Sequence, residues 1–424
     1  MKNSRAIFLL LLANSISGVA QGISMLAIPW YFTSIIHQEE LFGKAYFTIT
    51  SLSLIWGLYA GTLVDRYDRR KIFLVINLVG FGVLLCISGF GFVTLSLPWP
   101  LVALVFCTTA FIYNIHFPNL YAFAQEITPR NQYSRITSLL EIQGQFTFTL
   151  AGAAAAILLQ GINHEINLFG YLIHSPILIK PWKIYEIFAL DAVTYLASFL
   201  LIYQIQSLPV AAKTIDTSSL KDRIKTGVEF LKKRILLFHF GNASLFVFLT
   251  IIVFSTYLLP IYVNSFLHKS GDVYALGDMS FSMGALLAGF ITTKLFNEKN
   301  AVRGIIALSI VAGSMYLLMS VNKILPLFFM ANFVIGACNS GVRIQRVTYM
   351  FHHVPNALIG RTGSVFFAVN VFFRVCLIGV FTLPFFHLGQ NIVYAITALA
   401  IVCFIGAIIL GLNYKKLMTE PEIS

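Results

Sequence analysis

Charge is scarce in this 424-residue sequence: 11% of its residues are Asp, Glu, Lys or Arg, against 58% apolar ones. A water-soluble domain carries about a quarter of its residues as charges, so a chain wetted on all sides is excluded. Cysteine is scarce too. The five, Cys86, Cys107, Cys338, Cys376 and Cys403, fall in apolar runs without C-x-x-C spacing or nearby His, a pattern that points to neither a disulfide nor a metal site. There is no H-E-x-x-H, no G-x-S-x-G and no phosphate-cradling Gly-Lys-Ser/Thr loop, and His352-His353 are adjacent rather than at ligand spacing. These absences leave a membrane-embedded enzyme as a remote alternative, argue against ATP hydrolysis by this chain, and call for no cofactor.

What the sequence does have is long apolar runs and a mean hydropathy of +0.82. About 20 apolar residues cross a hydrocarbon core of ~30 Å as a helix, and the bilayer offers no partner for unpaired backbone groups. An all-α membrane protein follows, with strands not expected. Charges and Gly/Pro breaks divide the chain into twelve predicted spans near 6–36, 43–64, 71–95, 99–124, 134–160, 183–205, 237–264, 271–296, 301–321, 324–351, 361–386 and 390–413. The first run is too long for a signal peptide and is read as a retained helix. Trp30, Trp56, Trp99 and Trp182 fall near span ends, as interfacial belt residues do.

The net charge of +12 has a topological explanation. If both termini, the alternate loops and the central linker share one side, 21 of the 29 Lys/Arg lie there, 5 lie opposite and 3 lie inside spans. The positive-inside rule makes the crowded side cytoplasmic, and no nucleic acid need be invoked. The longest polar break, 206–236, separates predicted six-helix bundles over 1–205 and 237–424. In it Leu220, Ile224, Val228, Leu231 and Ile235 recur at helical spacing among basic residues, the pattern of an amphipathic helix on an anionic leaflet.

The two halves carry related segments. Pro129, Arg135 and Ser138 recur as Pro355, Arg361 and Ser364, each 226 residues later, and Gly61 to Arg66 matches Gly289 to Lys294 at an offset of 228. A parallel six-plus-six repeat is thereby predicted. The loop Gly61-Thr62-Leu63-Val64-Asp65-Arg66-Tyr67-Asp68-Arg69-Arg70-Lys71 resembles the G-x-x-x-D-R-x-G-R-R/K signature of the major facilitator superfamily, departing from it at Asp68. That departure, Leu190 to Ser198 and Gly227 to Leu231 resemble the drug:proton antiporter branch that includes macrolide efflux and enterobactin exporter-like proteins. The resemblance implies two pseudo-symmetric six-helix bundles and a cytoplasmic latch of Gly61, Asp65, Arg66, Arg69 and Arg70, with Asp65 facing the start of the eleventh helix. Arg69, Arg70 and Lys71 read equally well as topology anchors.

The resemblance also implies a central cavity lined by the first, fourth, seventh and tenth helices and flanked by the second, fifth, eighth and eleventh. Polar intramembrane residues follow that arrangement: Asn14 and Gln21 on the first, Asn114 and His116 on the fourth, Gln145 on the fifth, Asn242 on the seventh, Asn339 and Arg343 on the tenth, Asn370 and Arg374 on the eleventh. Arg346, one turn from Arg343, joins them or snorkels to the surface. A charge inside a bilayer costs at least ~2.5 kcal/mol, so each is a candidate for binding an anionic or zwitterionic solute; the alternative is a structural pair between Arg343 or Arg374 and Glu141. Glu141, His116 and Asp191 are the candidates for proton coupling, with helix packing the competing role for Asp191 and His116. The expected protein is a monomeric secondary transporter in the cytoplasmic membrane, exporting a drug- or siderophore-like solute against protons; ion-coupled uptake of an anion is the alternative.

Overall fold

The computed structural model describes residues 4–128, 133–161, 165–168, 171–174, 178–206, 220–295 and 300–421. Contacts divide the chain into two compact units. One comprises Met1–Gln38, Ile55–Thr217 and Lys269–Met279; the other comprises Glu39–Leu54, Ser218–His268 and Ser280–Ser424.

Among the described residues, ten helices are long and apolar enough to cross a membrane. They are Ser4–Ile35 (first span), Arg69–Thr94 (third), Trp99–Glu126 (fourth), a fifth that includes Ile142–Gln160, Ile184–Tyr203 (sixth), Ile235–Phe266 (seventh), Ala301–Val321 (ninth), Leu325–His353 (tenth), an eleventh that includes Leu358–Phe381, and Ile392–Leu412 (twelfth). The fifth runs in full over Tyr133–Gln160 and the eleventh over Asn356–Phe381. The second, Glu39–Arg66, and the eighth, Gly271–Leu295, bring the long helices to twelve. At 1.5 Å per residue, even their 25–28 residues reach past the hydrocarbon thickness.

Local chemistry sets the boundaries. Asp68 caps the third span by accepting a 2.8 Å bond from the Lys71 amide, which gives a structural reason for a carboxylate in the signature loop where glycine is usual. The eleventh span ends at Phe381 rather than near 386, because Pro384 cannot continue a helix and opens a 3-10 turn, Pro384–His387. The expectation of no strands fails in one connector. After the fifth span, β1 (Glu165–Leu168) and β2 (Tyr171–His174) pair antiparallel, Glu165 opposite His174. This connector lies outside the predicted spans, where short strands can pair without the bilayer's demand for a closed structure.

Within the first unit, glycines set the interhelical approach. A Cβ on Gly80 or Gly91 of the third span would lie 2.8 or 2.3 Å from Tyr195 or Tyr185 of the sixth, and one on Gly22 of the first would lie 2.6 Å from Ala151 of the fifth. Trp30 is no belt residue. It is buried, stacked on Tyr274 at 5.7 Å, with Gly271 beneath its indole nitrogen. Within the second unit, a Cβ on Gly284 would lie 1.8 Å from the Phe333 carbonyl oxygen, and one on Gly336 would lie 2.0 Å from that of Phe281. The linker helix, Leu220–Lys233, rests on the start of the eleventh span, where Gly227 meets the Arg361 carbonyl and Leu231 is buried.

The first and seventh spans end alike. Tyr31–Ile35 and Tyr262–Phe266 are π-helical, each closed by an amide donating to the tyrosine carbonyl, from Ile36 and Leu267. His37 and His268 follow with positive φ of 51° and 52°. The Tyr31 hydroxyl donates to the Leu97 carbonyl beyond the third span, and the Tyr262 hydroxyl to the Met319 and Asn322 carbonyls at the end of the ninth. Pro29, Tyr31, Ser34 and His37 thus recur as Pro260, Tyr262, Ser265 and His268, all 231 residues apart.

Candidate functional site

In the first unit, polar side chains on three spans join in a row. His116 of the fourth span donates from Nε2 to Oδ1 of Asn14 on the first at 2.7 Å; Asn14 Nδ2 donates to Gln143 Oε1 on the fifth at 2.6 Å; Gln143 Nε2 donates to Thr147 Oγ1 at 3.2 Å. Each amide is used at both ends, so the row fixes its own orientation. Phe73 packs edge-on against the His116 ring at 5.2 Å. Asn114 and Gln145 lie on the same spans, half-buried and outside this row.

A second cluster joins the first and sixth spans. Gln21 Nε2 donates to the Tyr195 hydroxyl at 3.4 Å, and Ser24 Oγ donates to Asp191 Oδ2 at 2.7 Å. Ser24 and Asp191 are each 0% exposed, and Asp191 Oδ1 has no partner. The side chain of Glu141, expected as a coupling acid and counter-ion, lies outside the described residues.

The three span arginines all belong to the second unit. Arg343 is exposed on the tenth span, whereas Arg346, three residues on, is half-buried with its guanidinium 5.5 Å over the Phe366 ring of the eleventh. Arg374 acts electrostatically on the buried hydroxyl of Tyr46. The Nε atoms of both Arg346 and Arg374 are buried without a hydrogen-bond partner. Asn370 is buried and Asn339 half-buried on the same two helices. Asn242 is spent locally: it donates to the Phe238 carbonyl at 2.9 Å and borders an apolar groove of about 510 Å³ with Phe246, Phe372 and Phe373.

The loop between the second and third spans is anchored by its arginines. Arg69 Nη1 donates to the Ala122 carbonyl at 2.7 Å and pairs with Glu126 at 3.0 Å, both on the last turn of the fourth span. Arg70 donates to the Ile202 and Tyr203 carbonyls at the end of the sixth, its guanidinium 5.8 Å over the Tyr203 ring. Both cations therefore sit near the C-terminal end of a helix, where its dipole leaves a partial negative charge. Arg66 is exposed. The surroundings of Gly61 and the side chain of Asp65 lie outside the described residues.

Comparison with known proteins decides the family. The sequence matches the description Major Facilitator Superfamily over residues 10–376. The chain belongs to the major facilitator superfamily. No curated protein matches it. Among solved structures of this superfamily fold, the chain is similar to the nucleoside transporter NupG (TM-score 0.68, 13% identity, covering 97% of this chain and 99% of that one). It is likewise similar to a bacterial homologue of the human lysosomal transporter Spinster in an inward-facing, occupied conformation (TM-score 0.67, 11% identity, 100% and 99% covered). A D-xylose-proton symporter also matches (TM-score 0.64, 14% identity, 95% and 97% covered). At these identities the likeness is one of fold. As a member of this superfamily, the chain is a multi-pass membrane transporter built on twelve helices.

Several residues of this major facilitator protein escaped the sequence reading. Ser24, Gln143 and Thr147 carry no signal of their own, but Ser24 lies three residues after Gln21 on a helical face. Glu126 was findable, being a carboxylate at the end of a span beside the basic loop. The 231-residue repeat from Pro29 to His37 was legible and is the clearest duplication in the chain.

Proposed function

We propose that this protein is a secondary active transporter that exports a small anionic or amphipathic organic solute, drug- or siderophore-like, across the cytoplasmic membrane in exchange for protons. The observation that carries the substrate class is the pair of buried, unpartnered guanidinium nitrogens of Arg346 and Arg374. A guanidinium kept in a span with an unmet donor is costly unless an acceptor arrives, and a carboxylate, phosphate or catecholate supplies one with two-point geometry. Arg343, Asn339 and Asn370 on the same spans complete the anion-binding group. Asn14, Gln21, Asn114, His116 and Gln145 form a separate polar set in the first unit and are the further residues proposed for solute contact. Ion coupling is supported by the lack of any nucleotide-binding loop in the sequence and by the proton symporter among its structural relatives. Placement of both termini in the cytoplasm rests on the Lys/Arg bias.

Counterflow in proteoliposomes tests the reading, with a labelled catecholate siderophore and a labelled macrolide as probes. A carrier exchanges internal unlabelled for external labelled probe without net flow. Arg374→Ala and Arg346→Ala are expected to lower siderophore counterflow at least tenfold while the protein stays folded. Equal rates in wild type and both variants would remove the anion assignment. The same arginines suit uptake of an anion, and the direction of accumulation under an imposed proton gradient separates export from import.

A further inference from the structure

The carboxyl of Asp191 lies wholly inside the first unit, facing the first span from the sixth. Its Oδ2 accepts one bond, 2.7 Å from Ser24 Oγ, and its Oδ1 accepts none. The groups around it are neutral. From the first span it meets Ser24; on its own helix the ionisable neighbour is Tyr195, one turn away and hydrogen-bonded to Gln21; the third span turns Gly80 to the Tyr195 ring. Among the described residues no cation acts on it.

An ionised carboxylate with 0% exposure and a single hydroxyl donor lacks the pairing that makes buried charge tolerable. A neutral carboxyl fits the same place, because Oδ2 still accepts from Ser24 while Oδ1 carries the hydrogen.

We propose that Asp191 and Ser24 form a buried proton-binding site, tied through Tyr195 to Gln21 on the first span. One proton adds to Oδ1 and leaves again to water, so its release requires water to enter between the first and sixth spans. Gln21 belongs to the proposed solute-contacting set, and its bond to Tyr195 lets a solute displacing that amide disturb the neighbourhood of the acid. The coupling role rests on the carrier reading; the bound proton does not.

Infrared difference spectroscopy of the full chain in lipid vesicles, taken between about pH 5 and about pH 9, tests the site without any solute. The wild type should show a protonated-carboxyl C=O band that Asp191→Asn removes. Ser24→Ala should keep the band but move it to higher wavenumber, since the C=O loses a donor. Identical carboxyl bands in wild type and Asp191→Asn overturn the proposal. Should Asp191→Asn not fold, a band unmoved by Ser24→Ala overturns it instead. Failure of counterflow with the band intact would remove the transport reading alone.

Discussion

The Tyr257 hydroxyl stands 3.2 Å from Nε2 of His387, joining the seventh span to the 3-10 turn after the eleventh. Gly43 of the second span makes room for it: a Cβ there would lie 2.1 Å from that hydroxyl and 2.6 Å from Thr382 Oγ1. Phe42, Tyr46 and Tyr257 pack around the same point with ring centroids 5.8–6.2 Å apart.

Gly43→Ala should therefore cost about 1–3 kcal/mol as an overpacked substitution. Thermal unfolding of the detergent-solubilised protein reads it as a lowered midpoint. Adding Tyr257→Phe should recover part of the loss, since the nearest clashing atom is the hydroxyl. A midpoint equal to that of wild type would contradict the packing described.

His387 predicts a pH effect. Burial holds its pKa below the usual 6.5, outweighing the pull of Glu39 and Glu40 in the other direction. Its Nδ1 is buried without a partner, so a second ring proton would gain no hydrogen bond there. The unfolded chain then binds the proton more readily. Stability from this group is present above about pH 6.5 and is lost as pH falls through the lower folded value. Unfolding midpoints at about pH 8 and pH 5 should differ more in wild type than in His387→Gln; equal differences would refute the assignment.

The eighth and tenth spans make a sharper test of packing. Gly284→Ala and Gly336→Ala each drive a methyl into a backbone carbonyl, which cannot rotate aside as a side chain can. Each should cost about 2 kcal/mol or more. Gly82→Ala, with nothing within 4 Å of its new Cβ, should be neutral or stabilising by up to about 1 kcal/mol. Melting of the three variants side by side decides it.

Arg69→Ala removes two bonds from a charged donor at the end of the fourth span and should cost about 1.5–3 kcal/mol. Arg69→Lys should recover part of this, having charge but no planar fork. If Arg69 were only a topology anchor, Arg69→Lys would melt with wild type.

The fold was legible because its signals are long. A run such as Ala301–Val321 admits one reading, and both of its expected ends match the structure. Failures came where a boundary depended on one residue, as at Pro384, or where the chain lay outside the apolar runs, as in the strand pair β1 and β2. The site was legible residue by residue but not as partnerships. Asn14 and His116 stand out as polar groups in apolar helices, yet their contact depends on the rotation of two spans, which hydropathy does not encode. Ser24 stayed invisible because a serine in a span satisfies itself by bonding its own helix, as Ser15 and Ser17 do.

The wide turns at Tyr31 and Tyr262 bear on the history of the chain. A helix forms readily without such an irregularity, so two independent origins at matching places, each followed by a histidine in the same unusual backbone conformation, would be a coincidence. Copying of one ancestral half that already held the extra residue accounts for both.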